Sequence, residues 1–288
     1  MSDLRPRRSV LYMPAANERA LDKAKGIPAD ALIFDLEDAV APDAKPDARR
    51  NAVAAVLSGE YGNKEITIRC NGLDTQWGHE DLAAAAMANV SAVVIPKINS
   101  VKEVEAVSSA LATAGAPGSM KIWAMIETPT AIFDVRQIAA HPRVQTLVMG
   151  TNDLAKELRA TQVRGRAPLT PHLATALLAA REAGKVILDG VFNDVKDLDA
   201  FRDECVQGAQ MGFDGKTLIH PSQVEIANEV WAPTADEVDY AQRVIAAFEE
   251  ATAAGRGVIT VDGRMIENLH VDNARRVLAV QAAIESLN

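Results

Sequence analysis

Short apolar runs alternate with alanine-rich helical segments along most of this chain, and no other feature constrains its fold as strongly. Eight runs predict strands, at 9–14, 31–37, 65–71, 91–97, 121–127, 145–150, 185–190 and 215–220. The segments between them place apolar residues at helical spacing, as in 18–26, 101–115 and 171–184. Strands that alternate with helices of this length indicate βαβ units and a parallel sheet. Eight such units in about 220 residues predict an α/β fold of the (β/α)8 TIM barrel type.

A doubly wound parallel sheet is the structural alternative. That fold binds dinucleotides through a glycine-rich turn, G-x-G-x-x-G, directly after its first strand. Here the first predicted strand runs into MPAANER, residues 13–19, which contains no glycine. The barrel is therefore the favoured fold, and we expect it to occupy residues 1–232.

The pattern changes after the eighth predicted strand. An amphipathic helix capped by Thr234 or Asp236 should come first, and a hairpin that turns at Asp262-Gly263 should follow it. The three predicted segments are a helix over 233–254, a hairpin over 255–268 and a helix at roughly 270–286. We therefore expect residues 233–288 to form a C-terminal extension that is separate from the barrel.

Composition and charge argue against several classes of protein. The formal net charge of −9 disfavours a nucleic-acid or membrane surface. Cys70 and Cys205 provide neither a disulfide framework nor a metal-binding spacing. The first apolar run is too short for a signal peptide, and no stretch approaches the roughly 20 apolar residues of a membrane span. A reduced, cytoplasmic protein is the expectation.

Polar residues stand at the ends of the predicted strands, which is where TIM-barrel enzymes carry their working groups. Any one of them could be structural, but several carboxylates and an arginine at one rim indicate a functional site. These residues are Glu37-Asp38, Arg69-Asn71, Pro96-Lys97, Glu127, Asn152-Asp153, Asp189 and His220.

Glu127 and Asp153 are the candidate metal ligands. Glu127 ends the apolar strand IWAMIE, and Asp153 follows the next strand in LVMGTND. Two hard oxygen ligands on neighbouring strands suit Mg²⁺, which usually completes its octahedron with water and substrate. The structural alternatives are that Glu127 pairs with a nearby lysine or arginine, and that Asp153 caps a helix beginning at Leu154.

Arg69 also ends an apolar strand, so its guanidinium should meet a carboxylate of the protein or of a substrate at the barrel mouth. Asp35 lies deep in the preceding strand and, if buried, must be paired. Arg69 is the candidate partner. Side-chain alternation puts Asp35 and Glu37 on one face of their strand, so these charges need not oppose the packing.

Arg19 and Lys23 lie four residues apart on one face of the first predicted helix. Taken alone, this spacing favours an ordinary solvated helix face. If that face borders the barrel mouth, the two cations could instead hold the phosphates of a bulky ligand.

Seven segments, in order along nearly the whole chain, resemble one family. They are RSVLYMPAANERALDKA (8–24), DALIFDLEDAVAPDAKPDAR (30–49), IRCNGLDT (68–75), VIPKINS (94–100), MIETPTAI (125–132), GTNDLAKELR (150–159) and GFDGKTLIHPSQV (212–224). The chain resembles the citrate lyase β-subunit-like proteins of the HpcH/HpaI aldolase superfamily, which includes the malyl-CoA and citramalyl-CoA lyases.

The resemblance implies a Mg²⁺-dependent enzyme that cleaves a carbon–carbon bond in a short 3-hydroxy dicarboxylic acyl-CoA, of the malyl-CoA or citramalyl-CoA type, by retro-Claisen or retro-aldol chemistry. Glu127 and Asp153 would hold the metal. Arg69 would bind the carboxylate or carbonyl end of the acid, and Glu37 and Asp38 would line the pocket.

The same resemblance assigns Arg19 and Lys23 to the CoA phosphates. It also implies a homotrimer or homohexamer, in which the C-terminal extension of one subunit forms a lid on its neighbour. The lid motif of such lyases, G-x-[ML]-[VI]-D, here reads GRMIE over 263–267, so Glu267 replaces the usual aspartate as the proton-transfer group.

That substitution leaves the outcome of the reaction open. Glutamate reaches about one methylene further than aspartate and could activate water on the thioester, and ENLH at 267–270 resembles the malyl-CoA thioesterase branch of the superfamily. Hydrolysis of the same thioester is therefore the main alternative to cleavage. A CoA-independent pyruvate aldolase and a citrate lyase β subunit that needs an acyl-carrier partner are the further alternatives.

Overall fold

The computed structural model describes residues 4–254 and 259–287, and Arg7–Val230 forms one compact unit in it. Eight parallel strands close this unit into a barrel, in sequence order. The strands are β1 Ser9–Pro14, β2 Ala31–Asp35, β3 Glu65–Arg69, β4 Ala92–Ile95, β5 Lys121–Ile126, β6 Val144–Met149, β7 Val186–Asp189 and β8 Gly215–Leu218. The predicted TIM barrel is confirmed.

Nine α-helices of this unit are described. They are α1 Glu18–Ala24, α2 Lys45–Ser58, α3 Gly78–Ala88, α4 Val101–Thr113, α5 Pro129–Ala140, α6 Thr151–Leu158, α7 Thr170–Glu182, α8 Leu198–Met211 and α9 Val224–Val230. Two short 3₁₀ helices, Pro42–Ala44 and Pro221–Gln223, complete the connections. Both α6 and α7 lie between β6 and β7, so this connection is longer than the others.

Apolar side chains fill the interior of the barrel. This core contains Val10, Ala31, Ile33, Ala92, Val94, Trp123, Met125, Val148 and Leu188. Because successive side chains of a strand point to opposite faces, the inward row that holds Ile33 continues to Asp35, and the row that holds Met125 continues to Glu127. Strand alternation therefore carries two carboxylates to the carboxyl end of the barrel above an apolar core.

Residues after Val230 belong to a second compact unit. It contains α10 Ala235–Ala253, the antiparallel strands β9 Ile259–Val261 and β10 Arg264–Ile266, and α11 Asn268–Glu285. Thr234 is the predicted cap of α10: its hydroxyl accepts the Glu237 N–H at 3.2 Å, and the Glu237 carboxylate accepts the Thr234 N–H at 2.8 Å.

The hairpin of this unit turns where predicted. Asp262 and Gly263 both have positive φ, 49° and 75°, as a two-residue turn of type I′ requires. A small apolar core joins the hairpin to the two helices, and it includes Val244, Val261, Ile266, Val271 and Ala274. Part of the predicted hairpin segment, 255–258, lies outside the described residues, and the role of this unit as a lid stays a prediction.

Across 4–254 and 259–287, no helix combines the length and the apolar content that crossing a bilayer would require.

Candidate active site

Arg69 and Asp35 form the centre of the barrel mouth. They end the adjacent strands β3 and β2 in direct register. Arg69 Nε and Nη2 each donate to one oxygen of Asp35 at 2.7 Å, which makes a bidentate pair. Asp35 also accepts the backbone N–H groups of Glu37 and Ala39. The predicted pairing of Asp35 with Arg69 is confirmed, and it explains how a carboxylate that is 1% exposed is tolerated.

The third nitrogen of the same guanidinium meets the carboxylates that follow β2. Arg69 Nη1 lies 2.7 Å from Glu37 Oε2 and 3.7 Å from Asp38 Oδ2. The contact with Glu37 is an ion pair without hydrogen-bond alignment, because Oε2 has no hydrogen-bond partner among the described residues. The Tyr12 ring lies against Arg69, with 4.9 Å from Cζ to the ring centroid. All three guanidinium nitrogens are thus already engaged by carboxylates of the protein.

The surroundings of Glu37 disfavour the charged form of its carboxylate. Burial raises its pKa, the nearby Arg69 opposes that rise, and the neighbouring carboxylates Asp38 and Asp35 add to it, so the net shift is upward. The Glu37 carboxylate therefore has an oxygen without a hydrogen bond and a raised proton affinity at the edge of the mouth.

Glu127 stands directly after β5 and is 2% exposed. Its Oε1 accepts the backbone N–H of Lys97 at 2.6 Å, and among the described residues no lysine or arginine forms a salt bridge with it. The alternative in which Glu127 pairs with a cationic side chain is therefore wrong. Burial raises the pKa of Glu127 to about 7, although the Lys97 N–H opposes this and favours the charged form.

A glycine makes room for the Glu127 carboxylate. A Cβ on Gly150 would fall far inside van der Waals contact with Cβ and Oε2 of Glu127, so a side chain is excluded there. Gly150 directly precedes α6, and Asp153 lies in the first turn of that helix. Because α6 begins at Thr151, the alternative of Asp153 as the cap of a helix beginning at Leu154 is wrong. Asp153 is close enough to raise the pKa of Glu127 by charge repulsion.

Lys97 was named at a strand end in the sequence, but its role was not predicted. It adopts a left-handed backbone, φ 50°, which is uncommon for a residue other than glycine. Partial burial lowers the pKa of its ammonium group, but nearby carboxylates outweigh this and raise the pKa overall. These carboxylates are Asp153, Glu37, Glu127 and Asp38. The Lys97 ammonium therefore lies in the negative field of the mouth.

The donor set at the mouth fits a hard divalent cation. Five carboxylates lie here, at Asp35, Glu37, Asp38, Glu127 and Asp153, against the three nearby cations Arg69, Lys45 and Lys97. Across the described residues no three His, Cys, Asp or Glu side chains cluster as a complete protein ligand set. Mg²⁺ does not need one, since one or two carboxylates together with water and substrate oxygens satisfy its octahedron.

The three remaining predicted site residues are Arg19, Lys23 and Glu267. Arg19 and Lys23 are exposed on α1, the helix that leaves the carboxyl end of β1. Glu267 is exposed in the second unit and immediately precedes α11, and its backbone N–H donates to His270 Nδ1 at 3.0 Å. The mouth thus brings together five predicted residues, Arg69, Glu37, Asp38, Glu127 and Asp153.

A second charged cluster lies behind β7, on the helix side of the barrel. Asp189 is fully buried, and it accepts from Arg166 Nη1 at 2.6 Å and from Lys216 Nζ at 2.8 Å. Burial would raise the pKa of Asp189, but these two cations hold it below its ordinary value. Lys216 also donates to Glu204 on α8 at 2.8 Å. Because every charge here has a partner, the cluster is structural.

A cavity of about 720 Å³ adjoins this cluster, between α6, the connection to α7, and α8. Polar side chains line it, including Asn152, Gln162, Arg166 and Asn193. None of the acidic and basic residues of the mouth lines this cavity. The chemistry that the charges indicate therefore lies at the mouth rather than in this cavity.

The fold and the mouth together define a class of protein. The chain belongs to the HpcH/HpaI aldolase/citrate lyase family, whose match covers residues 8–221. Its sequence is 50% identical over 279 residues to a (3S)-malyl-CoA thioesterase of Cereibacter sphaeroides, covering 97% of this chain and 96% of the relative. It is 36% identical over 281 residues to the citrate lyase subunit beta of Escherichia coli, covering 96% of this chain and 93% of that subunit. The predicted family is confirmed.

Solved structures agree with this assignment. Protein CitE of Mycobacterium tuberculosis, in complex with magnesium, acetoacetate and coenzyme A, matches with a TM-score of 0.79 at 28% identity, over 97% of this chain and 100% of that one. RipC of Yersinia pestis matches with a TM-score of 0.68 at 29% identity, over 80% of this chain and 97% of that one.

Proposed function

We propose that this protein is a Mg²⁺-dependent enzyme that acts on the CoA thioester of a short 3-hydroxy dicarboxylic acid, of the malyl-CoA or citramalyl-CoA type. The observation that carries the proposal is the buried Glu127 carboxylate beside Asp153, in a mouth with more negative than positive charge. The relative named as a malyl-CoA thioesterase and the CitE complex with magnesium and coenzyme A support the substrate class and the metal.

In this proposal Glu127 and Asp153 hold the metal. When bound there, Mg²⁺ would polarise the oxygens of the acid as a Lewis acid. Arg69 sits in a fixed position, because Asp35 holds two of its nitrogens, and it directs positive charge towards the carboxylate or carbonyl end of the acyl group. Glu37 and Asp38 orient Arg69 from the other side and line the pocket.

Two reactions are compatible with this site. In cleavage, the bond between the hydroxyl carbon and the carbon next to the thioester breaks, a base removes the hydroxyl proton, and the resulting enolate is protonated. In hydrolysis, water attacks the thioester carbonyl and the C–S bond breaks. We favour hydrolysis, because the relatives at 50% identity are named as thioesterases. Cleavage is the second candidate, since the family is one of aldolases and lyases.

The proposal assigns two further roles. Arg19 and Lys23, exposed on α1, would bind the phosphates of CoA. The chain would assemble as a homotrimer or homohexamer in which Glu267 of the C-terminal unit acts as the proton-transfer group on a neighbouring subunit. A small free acid would need neither a phosphate-binding pair nor a large lid, which disfavours the pyruvate aldolase alternative.

Incubation of the purified protein with malyl-CoA and Mg²⁺, followed by product analysis, tests the proposal. Malate and free CoA without glyoxylate would establish the hydrolase, and glyoxylate with acetyl-CoA would establish the lyase. Turnover without any other protein would exclude a dependent citrate lyase subunit. We expect chelation of the metal, Glu127→Ala or Asp153→Ala to abolish either activity, and full turnover in metal-free buffer would contradict the metal assignment.

A further inference from the structure

Most cations around the mouth already have partners. The Lys45 ammonium is buried and uses its three donors on Leu36 O, Glu37 O and Asn71 Oδ1, at 2.8–2.9 Å. Arg69 directs all three of its nitrogens to carboxylates of the protein. A substrate carboxylate would have to compete with these partners for either cation.

Lys97 is different. Its side chain is exposed, and across the described residues no carboxylate lies within salt-bridge distance, 4.0 Å, of its ammonium. Its backbone N–H contacts Glu127, and its charge interacts with Asp153, Glu37, Glu127 and Asp38, so this residue borders the mouth. A cation at such a place, without a committed partner, is available to a ligand.

The backbone fixes the base of this side chain. The Lys97 N–H donates to Glu127 Oε1 at 2.6 Å, and the Lys97 carbonyl accepts from Asn99 Nδ2 at 2.9 Å. Asn99 in turn is hydrogen-bonded by Thr128, the cap of α5. The Lys97 Cα is therefore held beside the Glu127 carboxylate by three linked contacts, and only the flexible side chain is free to follow a ligand.

We propose that the ammonium of Lys97 binds the free carboxylate of the acyl group and so selects dicarboxylic over monocarboxylic acyl-CoA substrates. This inference rests on the proposed function for its substrate class. The mouth is rich in carboxylates, and those of the protein already engage Arg69, so the unpaired ammonium of Lys97 supplies, beside the metal, the further positive charge that a substrate carboxylate needs. A hydrogen bond between two charged groups of this kind is worth about 10- to 100-fold in affinity.

Malate is the probe for the test, with 3-hydroxybutyrate, which has a single carboxylate, as the comparison ligand. We expect Lys97→Met to weaken malate binding about 10- to 100-fold in calorimetric titrations at saturating Mg²⁺. Its Mg²⁺ affinity should be retained or rise, since the N–H to Glu127 is kept and a nearby cation is removed, and its affinity for 3-hydroxybutyrate should stay within about 2-fold of wild type. Lys97→Arg should restore part of the malate affinity.

Two further variants control for folding and for general charge. Lys97→Gly keeps the backbone N–H and suits the φ of 50°, so it should unfold at or above the wild-type Tm and still lose malate affinity as Lys97→Met does. Lys102→Met, which removes an exposed lysine on the nearby helix α4, should change nothing.

Unchanged malate binding in Lys97→Met would overturn the inference, as would wild-type protein that binds no malate. An equal loss of Mg²⁺ and malate affinity would also overturn it, because Lys97 would then act only through Glu127. The proposed function fails separately, if the wild type neither hydrolyses nor cleaves malyl-CoA. The malate titrations decide the role of Lys97 in either case.

Discussion

Glu127 is a residue at the mouth whose charged form is disfavoured by burial. Its pKa of about 7, raised from an ordinary 4.5 by burial, means that the folded protein keeps this proton at pH values where the unfolded chain has lost it. Its contribution to the free energy of unfolding therefore falls as the pH rises above 4.5, and the fall levels off above 7. The full cost to the metal-free protein at pH 8 is roughly 3 kcal/mol.

Glu127→Gln should remove this cost. In metal-free buffer we expect the variant to be more stable than wild type at pH 8 and about equally stable at pH 4.5, as measured by urea unfolding at both pH values. Mg²⁺ should recover the stability of the wild type at pH 8 but have no such effect on the variant, because the metal requires the ionised carboxylate. A stability difference that does not change with pH would contradict the raised pKa.

Single residues differ in how far the sequence reveals their roles. The partnership of Asp35 with Arg69 was predictable, because a buried carboxylate needs a cation and the adjacent strand ends in one. The contact between Lys97 and Glu127 was not, because it uses a backbone N–H and a left-handed φ that no side-chain pattern encodes. Tyr12 packs against the guanidinium of Arg69. Its sequence context does not distinguish it from other core aromatic residues, so this contact was not predictable either.

At the scale of elements, strands and helices were predicted well but their ends were less certain. The predicted strand 31–37 ends at Asp35, because the Asp35 carboxylate accepts the N–H groups of Glu37 and Ala39 and turns the chain out of the sheet. Helix α6 begins three residues before the predicted Leu154. In both places the element boundary depends on a local hydrogen bond or a glycine, and hydrophobic periodicity does not report these.

The connection between α6 and α7 is fixed to the barrel by Arg166, and this is testable by mutation. Arg166→Met would remove the cation 2.6 Å from the fully buried Asp189 and leave Lys216 as its remaining charged partner. We expect a loss of about 3 kcal/mol in the free energy of unfolding, measured in urea, because a buried charge loses a partner. Arg164→Met is the matched control, since that arginine pairs with Asp203 in solvent and should cost less than about 1 kcal/mol. Equal losses in the two variants would mean that the buried network contributes little.

At the scale of the whole molecule, eight strand–helix repeats and the absence of a glycine-rich turn were enough to predict the closed barrel. Eight parallel strands favour closure, because pairing β1 with β8 leaves the sheet without free edges. The C-terminal helices and hairpin were also predicted, since caps and turn residues mark them locally. The predicted role of this unit as a lid on a neighbouring subunit concerns the assembly, and a single sequence encodes an assembly only through the surfaces of one chain.

Subunit complementation tests the predicted shared site. Glu127→Gln and Glu267→Gln should each show little activity with malyl-CoA, the first by losing the metal and the second by losing the proton-transfer group. If Glu267 serves a neighbouring subunit, a mixed oligomer will contain sites with an intact mouth from one variant and an intact Glu267 from the other. Refolding the two variants together at equal amounts should then restore about a quarter of wild-type activity, by random assembly of cyclic oligomers.

Each variant refolded alone, and the two mixed without unfolding, are the controls for this experiment. Light scattering on the same samples should give a trimer or a hexamer. Activity that stays at the level of the single variants after co-refolding, in oligomers of the expected mass, would show that each mouth uses the Glu267 of its own chain or does not use this residue. Recovery only after co-refolding would instead require that the two intact groups meet across a subunit boundary, because no single chain in the mixture carries both.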